Sequence, residues 1–398
     1  MILGGVELVG DDGPARDVVV SASRIARVTE ACAADRSRDG PRVELPGALV
    51  FPGLINSHDH LEFNLYPPLG HAHYGDYVEW GEDIHRRDRD LIARIERVPR
   101  RDRLRWGALK NLLCGVTTVA QHGDAPGDVR GLNVGIPRAT WIHSVRQGRR
   151  WRWKLNTLVD GSPYVVHVGE GTSLGARREI DQLLRWNLFR RPLVAVHAIA
   201  MRADQAARFR AVVWCPVSNE FLYGVTADVA SLAPRTMVLF GTDSTLSADW
   251  NLWSHLRHAR ALALLDDRAL FDAVTQTAAR AWERPDIGAI RAGLTADVVV
   301  AKKKGHAAAT NRWDGFFAVE PEDILLVLRG GAVVLADASV DLPFPAGPSS
   351  VLRIGGREKR VAEDVPDLLA RIEACGVESN LPIAPGTLLS GDGCTSIE

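Results

Sequence analysis

Two histidines one residue apart, His58 and His60, follow an apolar run and a Pro-Gly turn in the stretch FPGLINSHDHLEF. In a β-strand, residues i and i+2 point to the same face, so the two imidazoles can bind one metal ion. An H-x-H pair on its own occurs often by chance and does not identify a metal site. Other parts of the chain must supply the remaining ligands.

Polar side chains also follow the later apolar runs of the sequence. In chain order they are His122, His167 with Glu170 three residues later, His197, Asn219 and Asp243. If each run is a strand of a parallel barrel, these side chains meet at the carboxyl ends of the strands. Several histidines with a carboxylate form a ligand set suited to Zn²⁺ or Fe²⁺. A lone histidine at a strand end is more often a hydrogen-bonded structural residue, so the prediction depends on the recurrence.

The elements that must position these residues divide the chain into three parts. Residues 51–291 alternate apolar runs with segments of helical periodicity, which predicts parallel β/α units. Short alternating strands occupy residues 1–50 and return at 292–345. Residues 346–398 are expected to hold one helix and a loose Gly/Ser/Pro-rich end. Between His122 and His167 there is room for one strand but little for a full further unit, so this segment must supply a helix, a strand and a turn in a short space, or else one unit is degenerate.

Composition restricts the class of partner and the compartment. The 398 residues carry a formal net charge of -1, which argues against binding to nucleic acid or to an acidic membrane. The basic run RQGRRWRWK is one short patch in a neutral chain and is read as a solvated or packing surface. The five cysteines form no C-x-x-C motif, and neither a signal peptide nor a long apolar segment is evident. We therefore expect a cytoplasmic protein with a small-molecule substrate; a homodimer is left open.

Five motifs occur in a fixed order and carry a resemblance to a known family: PGLINSHDH, HVGEGTS, VHAIAM, CPVSNEFLYG and FGTDS. Together they resemble the amidohydrolase superfamily, in particular its branch of cytosine deaminase-like and chlorotriazine hydrolase-like enzymes. The resemblance extends over roughly residues 1–345. It implies an α/β fold with a (β/α)8 TIM-like barrel and a small β-sandwich that both ends of the chain build together.

The resemblance also implies a role for each site residue. One divalent metal ion, zinc or else iron, would be bound by His58, His60, His167 and Asp243. Glu170 would transfer protons, His197 would steady the attacking water, and Asn219 would shape the pocket. A metal ion lowers the pKa of bound water, and a carboxylate can take the proton and return it to a leaving nitrogen. Asp243 could act as a ligand, as a proton acceptor, or as both.

Binuclear members of the superfamily use a carboxylated lysine at the end of a central strand. Lys110 lies inside a predicted helix, and Lys154 lies in the basic tryptophan-rich run, so neither follows an apolar strand. A mononuclear site is therefore expected, with a bridging Lys154 as the alternative.

Substrate contacts are expected from His122, Asn219, Tyr74 and Trp80. The last two belong to an aromatic loop, residues 64–80, which either covers the site or packs onto the barrel. The leading functional prediction is deamination of an amino-substituted N-heterocycle. Hydrolysis of a cyclic amide or dehalogenation at the same site is the alternative, and a non-catalytic small-molecule-binding barrel is a third reading.

Overall fold

The structure is a computed structural model that describes residues 1–31, 40–71, 73–123, 129–148, 150–157, 161–304 and 311–386. Its strands are β1 Ile2–Leu8, β2 Arg16–Ser21, β3 Arg24–Glu30, β4 Arg42–Glu44, β5 Leu49–Pro52, β6 Leu54–Asp59, β7 Val116–Gln121, β8 Thr140–Ser144, β9 Tyr164–Val168, β10 Leu193–His197, β11 Ala211–Trp214, β12 Met237–Phe240, β13 Val298–Ala301, β14 Ile324–Arg329, β15 Ala332–Asp337, β16 Ser350–Ile354, β17 Arg357–Val361 and β18 Ile383–Pro385. Its α-helices are α1 Tyr77–Arg87, α2 Arg89–Glu96, α3 Arg100–Leu113, α4 Trp151–Asn156, α5 Leu174–Trp186, α6 Ala203–Ala206, α7 Pro216–Tyr223, α8 Val229–Leu232, α9 Leu252–Ala261, α10 Asp267–Ala273, α11 Gln276–Ala281, α12 Arg312–Phe317 and α13 Val365–Glu373.

Parallel strands alternate with helices through the middle of the chain. Strands β8 to β12 form a five-stranded parallel sheet in chain order, and β6 pairs with β7 in a second parallel sheet. Strands β9 and β10 are buried along their whole length, as expected when both faces of a parallel sheet are covered. The predicted α/β class with parallel β/α units is confirmed.

The two parallel sheets are connected at one side by hydrogen bonds between β6 and the segment after β12. The amide of Asp243 donates to the carbonyl oxygen of His58 at 3.0 Å, and the amide of Thr242 donates to Asn56 Oδ1 at 3.1 Å. At the other side, Thr118 of β7 forms a parallel bridge with Gly135, which precedes β8. The helix between β8 and β9 is the short α4, which agrees with the small space that the sequence leaves there.

A large mixed sheet joins the two ends of the chain. Its strand order is β18-β16-β17-β15-β14-β13-β5-β1-β2-β3, with β4 paired to β1. The strands near the N-terminus meet those after the β/α region where β5 pairs antiparallel with β13. This pairing places β5, and hence the entry to β6, next to the end of the β/α region.

The region after residue 345 contains more structure than the sequence analysis expected. The expected helix is present as α13, but β16, β17 and β18 also join the edge of the mixed sheet. Strands β16 and β17 flank Gly355 and Gly356, whose φ angles of 54° and 79° suit a tight hairpin turn. The side chains of Leu352 and Ile354 are buried and alternate with more exposed neighbours, as in a strand with one covered face. The end expected to be loose, residues 387–398, lies outside the described residues.

No helix in the described part of the chain has both the length and the apolar character that crossing a membrane requires.

Candidate metal centre

Four imidazoles and one carboxylate meet at the carboxyl ends of the parallel strands. Strand β6 carries His58 with His60 just beyond it, β9 carries His167, β10 ends at His197, and Asp243 follows β12. The Nε2 atom of His167 lies 3.3 Å from the Nε2 atoms of both His58 and His60. Asp243 Oδ1 lies 3.7 Å from His58 Nε2. The sequence-predicted ligands are therefore neighbours in space.

This group can hold a divalent metal ion. Ligand atoms of His58, His60 and Asp243 lie within 4.8 Å of one another, and so do those of His58, His167 and His197. His167 Nδ1 lies 2.8 Å from the carbonyl oxygen of His143 and must donate, because a carbonyl oxygen only accepts. Its Nε2 atom therefore presents a lone pair towards the other imidazoles. Nε2 lone pairs that face one another at 3.3 Å repel, and a cation bound between them would remove this repulsion.

Burial favours the neutral form of two of these imidazoles, His58 and His167, and a metal ligand must be neutral. Desolvation, followed by the nearby imidazoles, holds the pKa of His58 well below its ordinary value. Desolvation has the same effect on the pKa of His167. His58 is fully buried, and its Nδ1 atom has no hydrogen-bond partner among the described residues. A neutral imidazole keeps the lone pair that a metal ion needs.

The backbone is strained where two of these residues leave their strands. His197 has a φ of 68° and Asp243 a φ of 59°, in the left-handed region that residues other than glycine rarely adopt. Each such conformation costs on the order of 1–3 kcal/mol and persists only where the surrounding structure imposes it. Strain of this kind is concentrated at functional sites and aims both side chains into the group.

His197 is oriented by Asn219. Its Nδ1 atom lies 2.8 Å from Asn219 Oδ1, and the Asn219 amide nitrogen in turn donates to Thr226 Oγ1. This arrangement leaves His197 Nε2 as the free lone pair, 3.8 Å from Glu170 Oε1 and 3.9 Å from Asp243 Oδ2. Asn219 is fully buried and does not line the cavity, so the structure places it behind His197.

Glu170 lies beyond β9 in the turn that follows His167. Its Oε1 atom accepts a hydrogen bond of 2.7 Å from the Tyr223 hydroxyl. Burial raises the pKa of the Glu170 carboxyl above its ordinary value. A carboxyl with a raised pKa, next to His197 and open to the cavity, is suited to proton transfer.

Helix α7 supplies three supporting residues, of which the sequence analysis recognised only Asn219. Ser218 donates to Asp243 Oδ2 at 2.9 Å, and Tyr223 holds Glu170. The motif CPVSNEFLYG gave a partial signal, because residues 219 and 223 are four apart and lie on one helix face. What each side chain touches could not be read from that spacing.

Lys110 lies behind the candidate ligands in a buried polar network. Its Nζ atom is 3.1 Å from Asp59 Oδ2, 2.9 Å from Asn64 Oδ1 and 3.2 Å from the carbonyl oxygen of Asp243. These contacts occupy the amine, and neither Lys110 nor Lys154 lines the cavity. The expectation of a single metal ion therefore remains, because neither lysine is placed to bridge two ions.

We expect Lys110→Met to lower the free energy of unfolding by about 3–5 kcal/mol, because it leaves the Asp59 carboxylate buried without its cation. Urea unfolding followed by circular dichroism measures the change. The double variant Lys110→Met/Asp59→Asn is the control and should recover part of the loss. A loss below about 1 kcal/mol for the single variant would show that the pair is not important for stability.

The other predicted substrate contacts are placed differently from one another. Trp80 lines the cavity, whereas Tyr74 does not. The hydroxyl of Tyr74 donates a hydrogen bond to Asp83 Oδ2 at 2.8 Å. His122 is buried behind the cavity, with its ring centroid 4.1 Å from that of His167. Both ring nitrogens of His122 lack a hydrogen-bond partner in the described part of the chain. Its contact with His167 is that of a supporting residue.

A cavity of about 320 Å³ opens above the group, within the usual size range of small-molecule sites. His60, His167, His197, Asp243 and Glu170 form its polar end. The remaining wall is mainly apolar and includes Phe63, Tyr66, Tyr77, Trp80, Ile84 and Leu246. The aromatic loop of the sequence analysis thus contributes to the cavity through three of its aromatic residues.

No protein-family model and no curated protein sequence matches the chain. Solved structures match it over most of its length. A zinc-bound adenosine deaminase from Xanthomonas campestris is 18% identical, with a TM-score of 0.72 over 94% of this chain and 97% of that chain. An atrazine chlorohydrolase from Arthrobacter aurescens, complexed with zinc, is 17% identical, with a TM-score of 0.66 over 94% and 99% of the two chains.

A third structure matches a slightly shorter part of the chain. It is the aminofutalosine deaminase of Helicobacter pylori in complex with methylthio-coformycin, 15% identical, with a TM-score of 0.61 over 84% of this chain and 99% of that chain. At these identities the similarity concerns the fold. The chain shares its fold with these three enzymes.

Proposed function

We propose that the protein is a metal-dependent hydrolase that attacks a carbon–nitrogen bond, and that it deaminates an amino-substituted N-heterocycle. The observation that carries the proposal is the meeting of several imidazoles, Asp243 and the Glu170–His197 pair at one end of a mainly apolar cavity. Two neighbours of the same fold are named as deaminases, and one of these was crystallised with zinc. We propose one zinc or iron ion per chain, bound by His58, His60, His167 and Asp243.

The bound metal ion would supply the Lewis acid that makes a water molecule nucleophilic near neutral pH. Glu170 takes a proton from this water at its free carboxylate oxygen as the water attacks the ring carbon. His197 accepts a hydrogen bond from the water at Nε2, since its Nδ1 proton is used by Asn219. Glu170 then returns the proton to the amino nitrogen, the carbon–nitrogen bond breaks, and ammonia leaves. The raised pKa of Glu170 makes its carboxylate a stronger base and so favours the uptake of the proton from water.

Hydrogen bonds hold the Asp243 carboxylate in place, and Oδ1 accepts fewer of them than Oδ2. Its Oδ2 atom accepts from the hydroxyls of Ser218 and Ser247, each at 2.9 Å, and its Oδ1 atom accepts from the amide of Ser244. Oδ1 is also the oxygen that faces His58. We propose Oδ1 as the ligand atom and Oδ2 as a second acceptor near His197.

We expect Asn219→Leu to lower kcat roughly 10–100-fold, because His197 loses the partner that fixes its tautomer and orientation. Asn219→Asp retains an acceptor oxygen and should recover most of the activity. Steady-state kinetics on the best aminated substrate measure both variants. Equal losses in the two variants, or a change in KM alone, would contradict an orienting role.

For the fold, we propose that strands β6 to β12 form a TIM-like barrel with one degenerate unit. The hydrogen bonds between β6 and the segment after β12 support closure on one side, and the bridge between Thr118 and Gly135 supports it on the other. We also propose that 1–50 and 292–345 form a composite β-sandwich domain beside a barrel domain at 51–291. The strands after residue 345 extend the sheet of that composite domain.

Hydrolytic removal of a halide is the second candidate function. The similarity in fold to an atrazine chlorohydrolase favours it, and the apolar cavity would accept a halogenated ring. Both reactions need the same activated water, so the product separates them. The zinc-loaded protein should be screened against aminated and halogenated heterocycles and cyclic amides, with ammonia, halide and new carboxylate each assayed. Binding without any product would favour a non-catalytic barrel and overturn the proposal.

A further inference from the structure

The cavity wall away from the candidate metal ligands is mainly apolar, with His85, Glu96 and Gln147 among its polar members. Trp80 donates its indole hydrogen to the carbonyl oxygen of Leu69 at 3.0 Å, which holds the ring against the cavity. Phe63 stacks on His60 with ring centroids 5.2 Å apart and planes 24° apart, so the aromatic surface begins at a candidate ligand. Ile84 and Leu246 extend this surface away from it. A ring held near His60 would project its substituents onto this wall.

Charge along the cavity disfavours an anionic substrate. Among the described residues that line the cavity there is no lysine and no arginine, whereas Glu96, Glu170 and Asp243 are acidic. A bound metal ion would add positive charge only at the histidine end. A carboxylate or phosphate pointing at the apolar wall would lose its water without gaining a cation, which is costly.

Gly81 leaves a gap in this wall at the middle of α1. Its backbone is helical and its φ is not positive, so the conformation does not require glycine. A Cβ atom added there would have a single neighbour within 4 Å beyond the adjacent residues and its own helix backbone, Gln147 Nε2 at 3.6 Å. A glycine in a helix interior costs about 1 kcal/mol relative to alanine. Gly81 and Gln147 both line the cavity, so this gap is part of the cavity and has the Gln147 amide on one side.

We propose that the site accepts an uncharged amino-substituted N-heterocycle that carries an apolar substituent, and that Gly81 makes room for this substituent beside Trp80 and Ile84. The proposal rests on the function proposed above and names its substrate class. It excludes nucleotides and ring systems whose side group bears a carboxylate. The substituent gains by leaving water for an apolar wall, and its size is limited by the gap at Gly81.

Matched compounds test the proposal on the zinc-loaded full-length protein. Aminopurine, aminopyrimidine and aminotriazine are each prepared unsubstituted, with a benzyl group and with a carboxybenzyl group. Ammonia release gives kcat/KM, and calorimetric titration of the Glu170→Gln variant gives the affinity without turnover. On the ring that is turned over, we expect the benzyl compound to exceed the carboxybenzyl compound at least about tenfold in both measurements.

The variant Gly81→Leu tests the gap, since leucine fills it and also favours the helix. We expect the ratio of kcat/KM for the benzyl compound to that for the unsubstituted ring to fall about tenfold or more. Glu82→Leu, which adds the same side chain at an exposed neighbouring position, is the control and should keep the wild-type ratio.

The outcomes separately test the substrate class, the role of Gly81 and the proposed deamination. Turnover or binding of the carboxybenzyl compound equal to that of the benzyl compound would overturn the substrate class alone. An unchanged ratio in Gly81→Leu would overturn the role of Gly81. Failure of every compound to release ammonia would overturn the proposed deamination itself.

Discussion

Replacing Glu170 by glutamine is expected to lower kcat by roughly 10³-fold or more, at the upper end of what general acid–base catalysis contributes. Glutamine has the size of glutamate, and its Oε1 atom can still accept the hydrogen bond from Tyr223. It cannot take a proton from water or return one to the leaving nitrogen. Stopped and continuous ammonia assays at saturating substrate measure the loss, which should appear in kcat and leave the metal content unchanged.

Tyr223→Phe is the matched control for this experiment. It removes the hydrogen bond to Glu170 while the carboxyl group remains, so we expect a loss of only about tenfold. A Glu170→Gln protein that keeps more than about a tenth of the wild-type kcat would show that another group transfers the proton.

Replacing His58 by alanine is expected to remove both the bound metal ion and the activity. His58 belongs to both groups of ligand atoms that lie within 4.8 Å of one another, so its loss leaves neither group complete. Elemental analysis of the purified variant should find far less than the roughly one equivalent of zinc or iron expected of the wild-type protein. Ammonia release should fall to the level of the chelated protein.

A second H-x-H motif, formed by His71 and His73, provides a natural control. His71 lies in an exposed loop and contacts Tyr74 and Asp83, away from the candidate ligands. His71→Ala should keep the wild-type metal content and activity. Equal metal loss in His71→Ala and His58→Ala would contradict the proposed ligand set.

The sequence predicted that polar residues gather at the strand ends because this depends on regular local geometry, whereas the choice of ligands among them was implied by the family resemblance. His58 lies at the end of β6 with His60 just beyond it, and His167, His197 and Asp243 each come at the end of an apolar run. The carboxyl ends of parallel strands lie at one edge, so residues at these ends become neighbours without knowledge of the loops. The position of Glu170 near the strand ends could be predicted in the same way, because it comes three residues after His167.

Contacts made by side chains from helices and loops could not be predicted in this way. Tyr223 and Ser218 reach Glu170 and Asp243 only because α7 packs against the strand ends, a relation that no local period encodes. Tyr74 was predicted to contact substrate, but the structure shows its hydroxyl engaged by Asp83. Only the three-dimensional structure distinguishes the aromatic residues that line the cavity from those that pack elsewhere.

Backbone strain and the strands after residue 345 are two further features that the sequence analysis did not foresee. Aspartate and histidine adopt a positive φ more often than most residues other than glycine, but residue type alone does not tell which of them do so, because the surrounding structure imposes it. The strands β16 and β17 are five residues each, and such short strands are stabilised mainly by pairing with the distant β15. Tertiary pairing of this kind overrides weak local preference.

We propose that a metal ion held by the strand-end histidines and Asp243 enables hydrolysis of a carbon–nitrogen bond. The most direct test measures ammonia release from the preferred aminated heterocycle before chelation, after removal of the metal, and after stepwise addition of zinc. We expect activity to be lost with the metal and to return in proportion to added zinc, with its maximum near one equivalent per chain. Full ammonia release by protein that elemental analysis shows to be free of metal would contradict it.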